Sequence, residues 1–316
     1  MKKTVLLLLA ALLALGGLAG CAQDAPADPD ALRVVVTVFP AYDWARNVLG
    51  ENPANVQLEL LLDGSADLHS FQPSVADLAA IDSADLFVSI GGVSDKWTDD
   101  ALQNAKDTAS LRLLDAIGTA ALTEEVVEGM QSEEEGDEAD EHIWLSLRNA
   151  KTCVTAIADA LAGIDPEHAS LYRANAETYG AKLTALDRAY ADAVASAARD
   201  TLLFADRFPF RYLTEDYGLR YYAAFAGCSA ETEASFETVR FLAQKLDETG
   251  ISTVLVIEGA DRRVAETVIS ATQAQNQTIR VLDSMQSVTQ RDIAAGTTYL
   301  GIMEQNLDVL KAALSE

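Results

Sequence analysis

Of the chain's three histidines, His69, His142 and His168, the first two fall in loops beside carboxylates. His69 stands in Asp67-Leu68-His69-Ser70-Phe71-Gln72-Pro73-Ser74, behind an apolar run from Val56 to Leu62 that reads as a buried strand. His142 follows the acidic block Glu133 to Glu141. Other polar residues fall at predicted strand ends: Asp206 and Arg207 after Phe204-Ala205, Glu258 after Val254 to Ile257, and Asp283 after Val281-Leu282. Ligands of α/β sheets bind at such ends. Two imidazoles with one or two carboxylates supply ligands of the borderline or hard kind that suits Zn²⁺ or Mn²⁺. Spacing alone is equally compatible with loop histidines that hydrogen-bond locally. His168, in the first turn of a helical segment among polar residues, reads as surface.

The elements that must position these residues alternate. Strands are predicted at Leu32 to Val38, Val56 to Leu62, Leu86 to Ile90 and Leu111 to Leu114. Helices fall between them: Pro40 through Val48 with Gly50 as stop, Val75 to Ile81 behind a Ser74 cap, and Lys96 to Lys106. After the acidic block, a helix runs from Leu147 to Ala162. A long helical segment launched by Asp165-Pro166 then continues to about Ala198, with apolar and small residues at helical spacing. Some thirty residues at about 1.5 Å each could cross a whole domain. The βα rhythm then resumes, with strands at Thr201 to Ala205, Leu219 to Phe225, Thr253 to Ile257 and Ile279 to Leu282. Helices are predicted from Phe208, over Phe236 to Leu246, over Arg263 to Thr272, and over Tyr299 to Leu314. This rhythm predicts mostly parallel sheets covered on both faces.

The first residues bear on compartment. Lys2-Lys3, the apolar Val5 to Leu15 and Leu18-Ala19-Gly20-Cys21 have the order of a secretory leader and are too short for a permanent span. Gln23 to Asp30 reads as a flexible tether. A net charge of −26 repels nucleic acid and anionic lipid and excludes both as expected partners. Cys153 and Cys228 could pair in an oxidising compartment, though Cys153, inside a helical pattern, reads as a small buried hydrophobe. There is no Cys-x-x-Cys and no zinc-finger spacing. Nor is there a Gly-x-Ser-x-Gly elbow, a phosphate loop, a dinucleotide turn or a His-Glu-x-x-His. No enzyme is expected.

Leu18-Ala19-Gly20-Cys21 resembles the bacterial lipobox, which implies cleavage before Cys21 and a lipid on its thiol. Asp67 to Ser74 resembles the Asp-Pro-His-x-Tyr/Phe-x-Pro-Ser/Thr motif of zinc- and manganese-binding lipoproteins, the family 9 (cluster A-I) solute-binding subunits of ABC metal importers. Phe39-Pro40, Ala84-Asp85-Leu86-Phe87 and Gly91-Gly92 with Trp97 continue the likeness. So do His142-Ile143-Trp144-Leu145-Ser146, Asp165-Pro166-Glu167 with Tyr172, Asn175 and Tyr179, and Phe210-Arg211-Tyr212-Leu213 with Tyr217-Gly218-Leu219. An acidic loop before the second histidine is also a habit of that family. The resemblance runs from about residue 33 to 314.

It implies two doubly wound α/β lobes with parallel sheets, joined by one long backbone helix, with a metal in the interlobe cleft. The divisions expected are a signal peptide over 1–20, a lipidated tether over 21–31, an N-terminal lobe over 32–163, a connecting helix over 164–199 and a C-terminal lobe over 200–316. His69 and His142 would be N-lobe ligands and Asp283 the C-lobe aspartate. Leu68 replaces the motif's proline. The motif's third ligand falls on Arg207, whose guanidinium is always charged and cannot coordinate. Asp206, one residue earlier, is then a candidate, and Glu258 a candidate for the first or second shell. The alternative for Asp206 and Arg207 is a salt bridge that orders the loop. The acidic block reads as a solvated loop, against a weak metal collector.

The implied function is extracytoplasmic capture of zinc by a monomer held at a bacterial membrane through its lipid, and delivery to an ABC permease and its ATPase. Manganese is the rival cargo, disfavoured at a given site by the Irving–Williams order. An adhesin with a degraded metal site, which Arg207 would favour, is the other alternative. A metal-dependent hydrolase would need a base or nucleophile motif that the sequence does not show. Imidazole ligands predict binding that weakens as pH falls through the histidine range.

Overall fold

A computed structural model of the protein describes residues 31–63, 68–131, 138–229 and 233–315. Residues 1–30, over which the leader, Cys21 and the tether are expected, lie outside the described residues. So do Asp67 of the first histidine motif and the acidic block from Glu133 to Asp137. Among the described residues no helix is long and apolar enough to cross a membrane.

The N-terminal lobe opens with β1 (Arg33–Val36), α1 (Phe39–Leu49), β2 (Gln57–Leu60), α2 (Val75–Asp82) and β3 (Leu86–Ser89). It continues through α3 (Trp97–Asn104), β4 (Ala109–Arg112), α4 (Leu113–Ile117) and α5 (Leu147–Ile164). Its four strands are parallel in the order β2-β1-β3-β4. The central β3 is buried along its whole length, as expected where helices cover both faces of a parallel sheet. Ser74 caps α2 in a reciprocal box with Asp77: its Oγ accepts from Asp77 N, and Asp77 Oδ2 accepts from Ser74 N.

The connecting helix α6 (Ala169–Ala195) has 27 residues, about 40 Å of rise. It starts later than Asp165-Pro166 implied, because Pro166–His168 forms a separate 3-10 turn. Its tyrosines tie it down along its length. Tyr179 donates to Asp43 of α1 at 3.2 Å, and Tyr190 donates to the carbonyl of Met303 at 2.7 Å. Gly50 ends α1 at φ +61°, where Asn175 of α6 packs so closely that a Cβ would lie 2.5 Å from its Nδ2.

The C-terminal lobe repeats the plan: β5 (Thr201–Phe208), α7 (Arg211–Tyr217), β6 (Arg220–Ala226), α8 (Phe236–Thr249) and β7 (Thr253–Val256). Then come α9 (Arg263–Ser270), β8 (Thr278–Val281), α10 (Gln290–Ala294) and α11 (Tyr299–Ser315). Its sheet is also parallel, in the order β6-β5-β7-β8. Strand β5 runs further than the expected Thr201 to Ala205, so Asp206 and Arg207 belong to the strand and not to a loop after it. The β5–β6 register shifts between Phe204 and Arg207. The following helix begins at Arg211 rather than at Phe208.

The last helix turns back onto the first lobe. Tyr299 packs edge-on against Trp44 at 5.2 Å, and its hydroxyl donates to the carbonyl of Trp144 at 2.6 Å. One buried cluster therefore contains Val34, Trp44 and Trp144 together with Phe204, Phe210, Tyr299 and Leu310. A second, smaller cluster lies wholly in the C-terminal lobe.

Candidate metal centre

His69 sits on the 3-10 turn Leu68–Ser70 after β2, anchored by the buried Leu68. Its Nδ1 lies 2.8 Å from Ser94 Oγ and 3.0 Å from Glu141 Oε1. Ser94 comes from the turn after β3, which Asp95 holds in shape by accepting the amides of Ile90 and Gly91. Glu141 reaches the same turn, accepting both the amide and the hydroxyl of Ser94. Gly92 leaves the room for it, since a Cβ there would fall 2.2 Å from Glu141 Oε2. Burial works against the Glu141 charge. Hydrogen bonds from His69 and Ser94 and the nearby imidazoles outweigh it and hold the carboxyl down to about 2.

His142 is fully buried, with its ring 5.3 Å from that of His69 and 5.3 Å from that of Trp144. Asp140 Oδ1 accepts from the His142 amide at 2.8 Å and lies 2.9 Å from its Nδ1. Asp140 is itself placed by Tyr212, whose hydroxyl donates to its carbonyl. Burial lowers the basicity of His142, but the Asp140 charge and hydrogen bond, with Glu141 and Glu124 behind them, raise its pKa on balance.

The third group at this point is one that the histidine motifs do not contain. Cys228 lies in the turn after β6; its amide donates to Glu124 Oε1 at 2.8 Å, and its Sγ is 3.6 Å from Glu141 Oε1. Donor atoms of His69, His142 and Cys228 all lie within 4.8 Å of one another. A tetrahedral zinc ion with these ligands would hold its donors about 3.5 Å apart, so a small contraction closes the site. With each Nδ1 held by a carboxylate, Nε2 is the nitrogen each ring would offer a metal. Such carboxylate–histidine pairing fixes the orientation of zinc ligands. His69, Ser94, Glu124 and Cys228 also line a pocket of about 420 Å³ that gives access from solvent.

The C-lobe carboxylates expected here are not among the converging donors. Asp206 accepts the amides of Arg207 at 2.8 Å and Ile257 at 3.0 Å. Glu258 accepts the amide and hydroxyl of Ser284 and the amide of Gln286. Asp283 accepts the amide of Met285 at 2.8 Å, and burial plus the Glu258 charge push its pKa up. The Asp283 loop does meet the N-lobe, because Trp144 Nε1 donates to the carbonyl of Ser284 at 2.8 Å. His168 lies 2.8 Å from Asp165, just before the long helix, and is not among the converging donors.

Cys153 and Cys228 are both free, and Cys153 is buried. Glu141 escaped sequence reasoning because it looked like the last member of a solvated acidic block. For Cys228 the sequence offers only a disulfide with Cys153, and the structure shows both thiols free. The available signal was its position just past an apolar strand, beside a glycine.

Residues 34–313 match the model of the family described as ZnuA, the periplasmic component A of a zinc-uptake complex. The chain belongs to the ZnuA family. Within the family's curated members it is 31% identical over 314 residues to the zinc-binding lipoprotein AdcA of Streptococcus pneumoniae, covering 98% of this chain. It spans only 60% of the length of that relative. It is 28% identical to the high-affinity zinc uptake system protein ZnuA of Bacillus subtilis, over 90% of this chain and 88% of the relative. The Zn(II)-bound ZnuA-like domain of S. pneumoniae AdcA superimposes with a TM-score of 0.73 at 28% identity, covering 90% of this chain and 99% of the domain.

Proposed function

We propose that this chain captures zinc outside the cytoplasm and hands it to an ABC permease without chemical change to the cargo. Cys21 would anchor the monomer to the membrane by its lipid. The observation that carries the reading is the paired imidazole arrangement. His142 is fully buried with Nε2 lacking a hydrogen-bond partner among the described residues, it faces His69, and carboxylates orient both rings. A buried nitrogen in that condition is costly unless a ligand takes it.

His69 and His142 are then the imidazole ligands. Of the C-lobe carboxylates, Asp283 is proposed to complete the shell, because its loop is already tied to Trp144. Asp206 and Glu258, each holding backbone amides, would set the loops around it. The test uses the mature chain with Cys21→Ala, stripped by a chelator and titrated with zinc against manganese. One zinc per chain is expected, displaced poorly by manganese. His69→Ala, His142→Ala and Asp283→Asn should each weaken zinc by at least about tenfold. Wild-type affinity in any of them removes that residue from the site, and absence of zinc binding in the parent chain ends the reading.

A further inference from the structure

We propose that Cys228 is a direct ligand of the captured ion and that its sulfur makes the site select zinc over manganese. This rests on the zinc-capture reading and adds the group that gives it specificity.

The β5 strand carries Arg207 where the importer motif has a ligand, and a guanidinium has no lone pair to offer. Strands β5 and β6 are parallel neighbours with Phe208 opposite Ala226, so the chain leaving β6 emerges beside the chain leaving β5. Cys228 is the second residue beyond that point. Its donor converges with those of His69 and His142, and no disulfide withdraws it.

Two further observations place the turn against the centre. The buried Nε2 of His142 has no hydrogen-bond partner among the described residues, which is the condition of a ligand awaiting its ion. Gly227 docks directly on that ring: a Cβ added there would lie 3.1 Å from His142 Cε1 and 2.9 Å from the carbonyl oxygen of Phe208. Sulfur is thereby brought 3.6 Å from the Glu141 carboxylate that holds His69.

The binding step is simple to balance. Zinc takes the thiolate, one Zn–S bond forms, and the thiol proton passes to solvent with no oxidant or reductant. A set of two imidazoles and one thiolate is softer than the imidazole and carboxylate set of the motif. Zinc accepts thiolate readily, whereas manganese prefers oxygen ligands.

Cobalt(II) reports the ligand directly, since thiolate coordination adds an intense near-ultraviolet charge-transfer band to the weak visible bands of the ion. The full mature chain with Cys21→Ala, loaded with one equivalent of cobalt, should show that band, and Cys228→Ser should lose it. Zinc affinity of Cys228→Ser should fall by at least about tenfold, with manganese affinity changed much less. Cobalt bound without the band, or a band that survives Cys228→Ser, overturns Cys228 as a ligand and leaves zinc capture standing. Failure of the parent chain to bind either cobalt or zinc overturns the capture reading and this proposal with it.

Discussion

Glu141 and Asp140 lie against Nδ1 of His69 and His142, and so set which nitrogen of each ring is left for a ligand. Removing that choice without removing a ligand should be measurable. Asp140→Asn and Glu141→Gln are each expected to lower zinc affinity by about 10–100-fold, read by competition with a chromophoric chelator, with one zinc per chain retained. A second residue-scale expectation concerns Gly227. Its missing Cβ lets the turn lie on His142 and on the Phe208 carbonyl, so Gly227→Ala should cost about 1–3 kcal/mol of stability by overpacking. Thermal melts in chelator separate that loss from any change in metal binding. At this scale the convergence of His69 and His142 was legible, because both sit in motifs with few alternatives, and the structure brings their rings to 5.3 Å. The nearness of Cys228 and Glu141 to them was not, since it arises from segments that are far apart in the chain and meet only in the fold.

At the scale of elements, the turn between β3 and α3 shows a carboxylate working against its own charge. Asp95 accepts the amides of Ile90 and Gly91 through Oδ2 while its Oδ1 is buried with no hydrogen-bond partner among the described residues. Burial, opposed by the Gly91 amide and reinforced by the Glu141 charge, raises its pKa from 3.8 to about 6. The folded protein therefore holds this proton more tightly than the unfolded chain does. Its stabilising contribution is complete below 3.8 and is lost as pH rises through about 6, at most about 3 kcal/mol for two pKa units. Asp95→Asn keeps an acceptor for both amides and drops the charge. It should raise the melting temperature at pH 7 and do so far less at pH 4. Glu141 has the opposite sign: its contribution is present above 4.5 and lost as pH falls toward about 2.

Element types were readable because apolar runs and caps agreed, as at Ser74 and Gly50. Boundaries were less so. Leu111 to Leu114 looked like one strand, but β4 ends at Arg112 and Leu113 opens α4, since a short apolar run has no period to distinguish the two. The expected end of β5 at Ala205 failed for a related reason. Asp206 reads as a strand terminator, yet its side chain caps Arg207 and Ile257 and lets the strand continue across the register shift.

The whole molecule adds a long-range field to these local features. With a net charge of −26, it should draw dications toward it, and salt should screen that pull as the Debye length shrinks from about 30 Å at 0.01 M to about 8 Å at 0.15 M. Stopped-flow association of zinc is expected to slow several-fold across that range, with dissociation nearly unchanged. Equal association rates at both salts would show that the surface charge serves solubility alone. The buried cluster that joins the two lobes has a different consequence. Because Tyr299 of the last helix packs on Trp44 and hydrogen-bonds to Trp144 of the first lobe, opening the lobes like a hinged trap would have to expose buried apolar surface at that seam. If zinc binds as proposed, its escape is expected to go through local lifting of the Leu68–Ser70 turn or of the turn that carries Cys228. Residence time would be set by those two short turns, and an acceptor that pries at either one would hold the key to unloading.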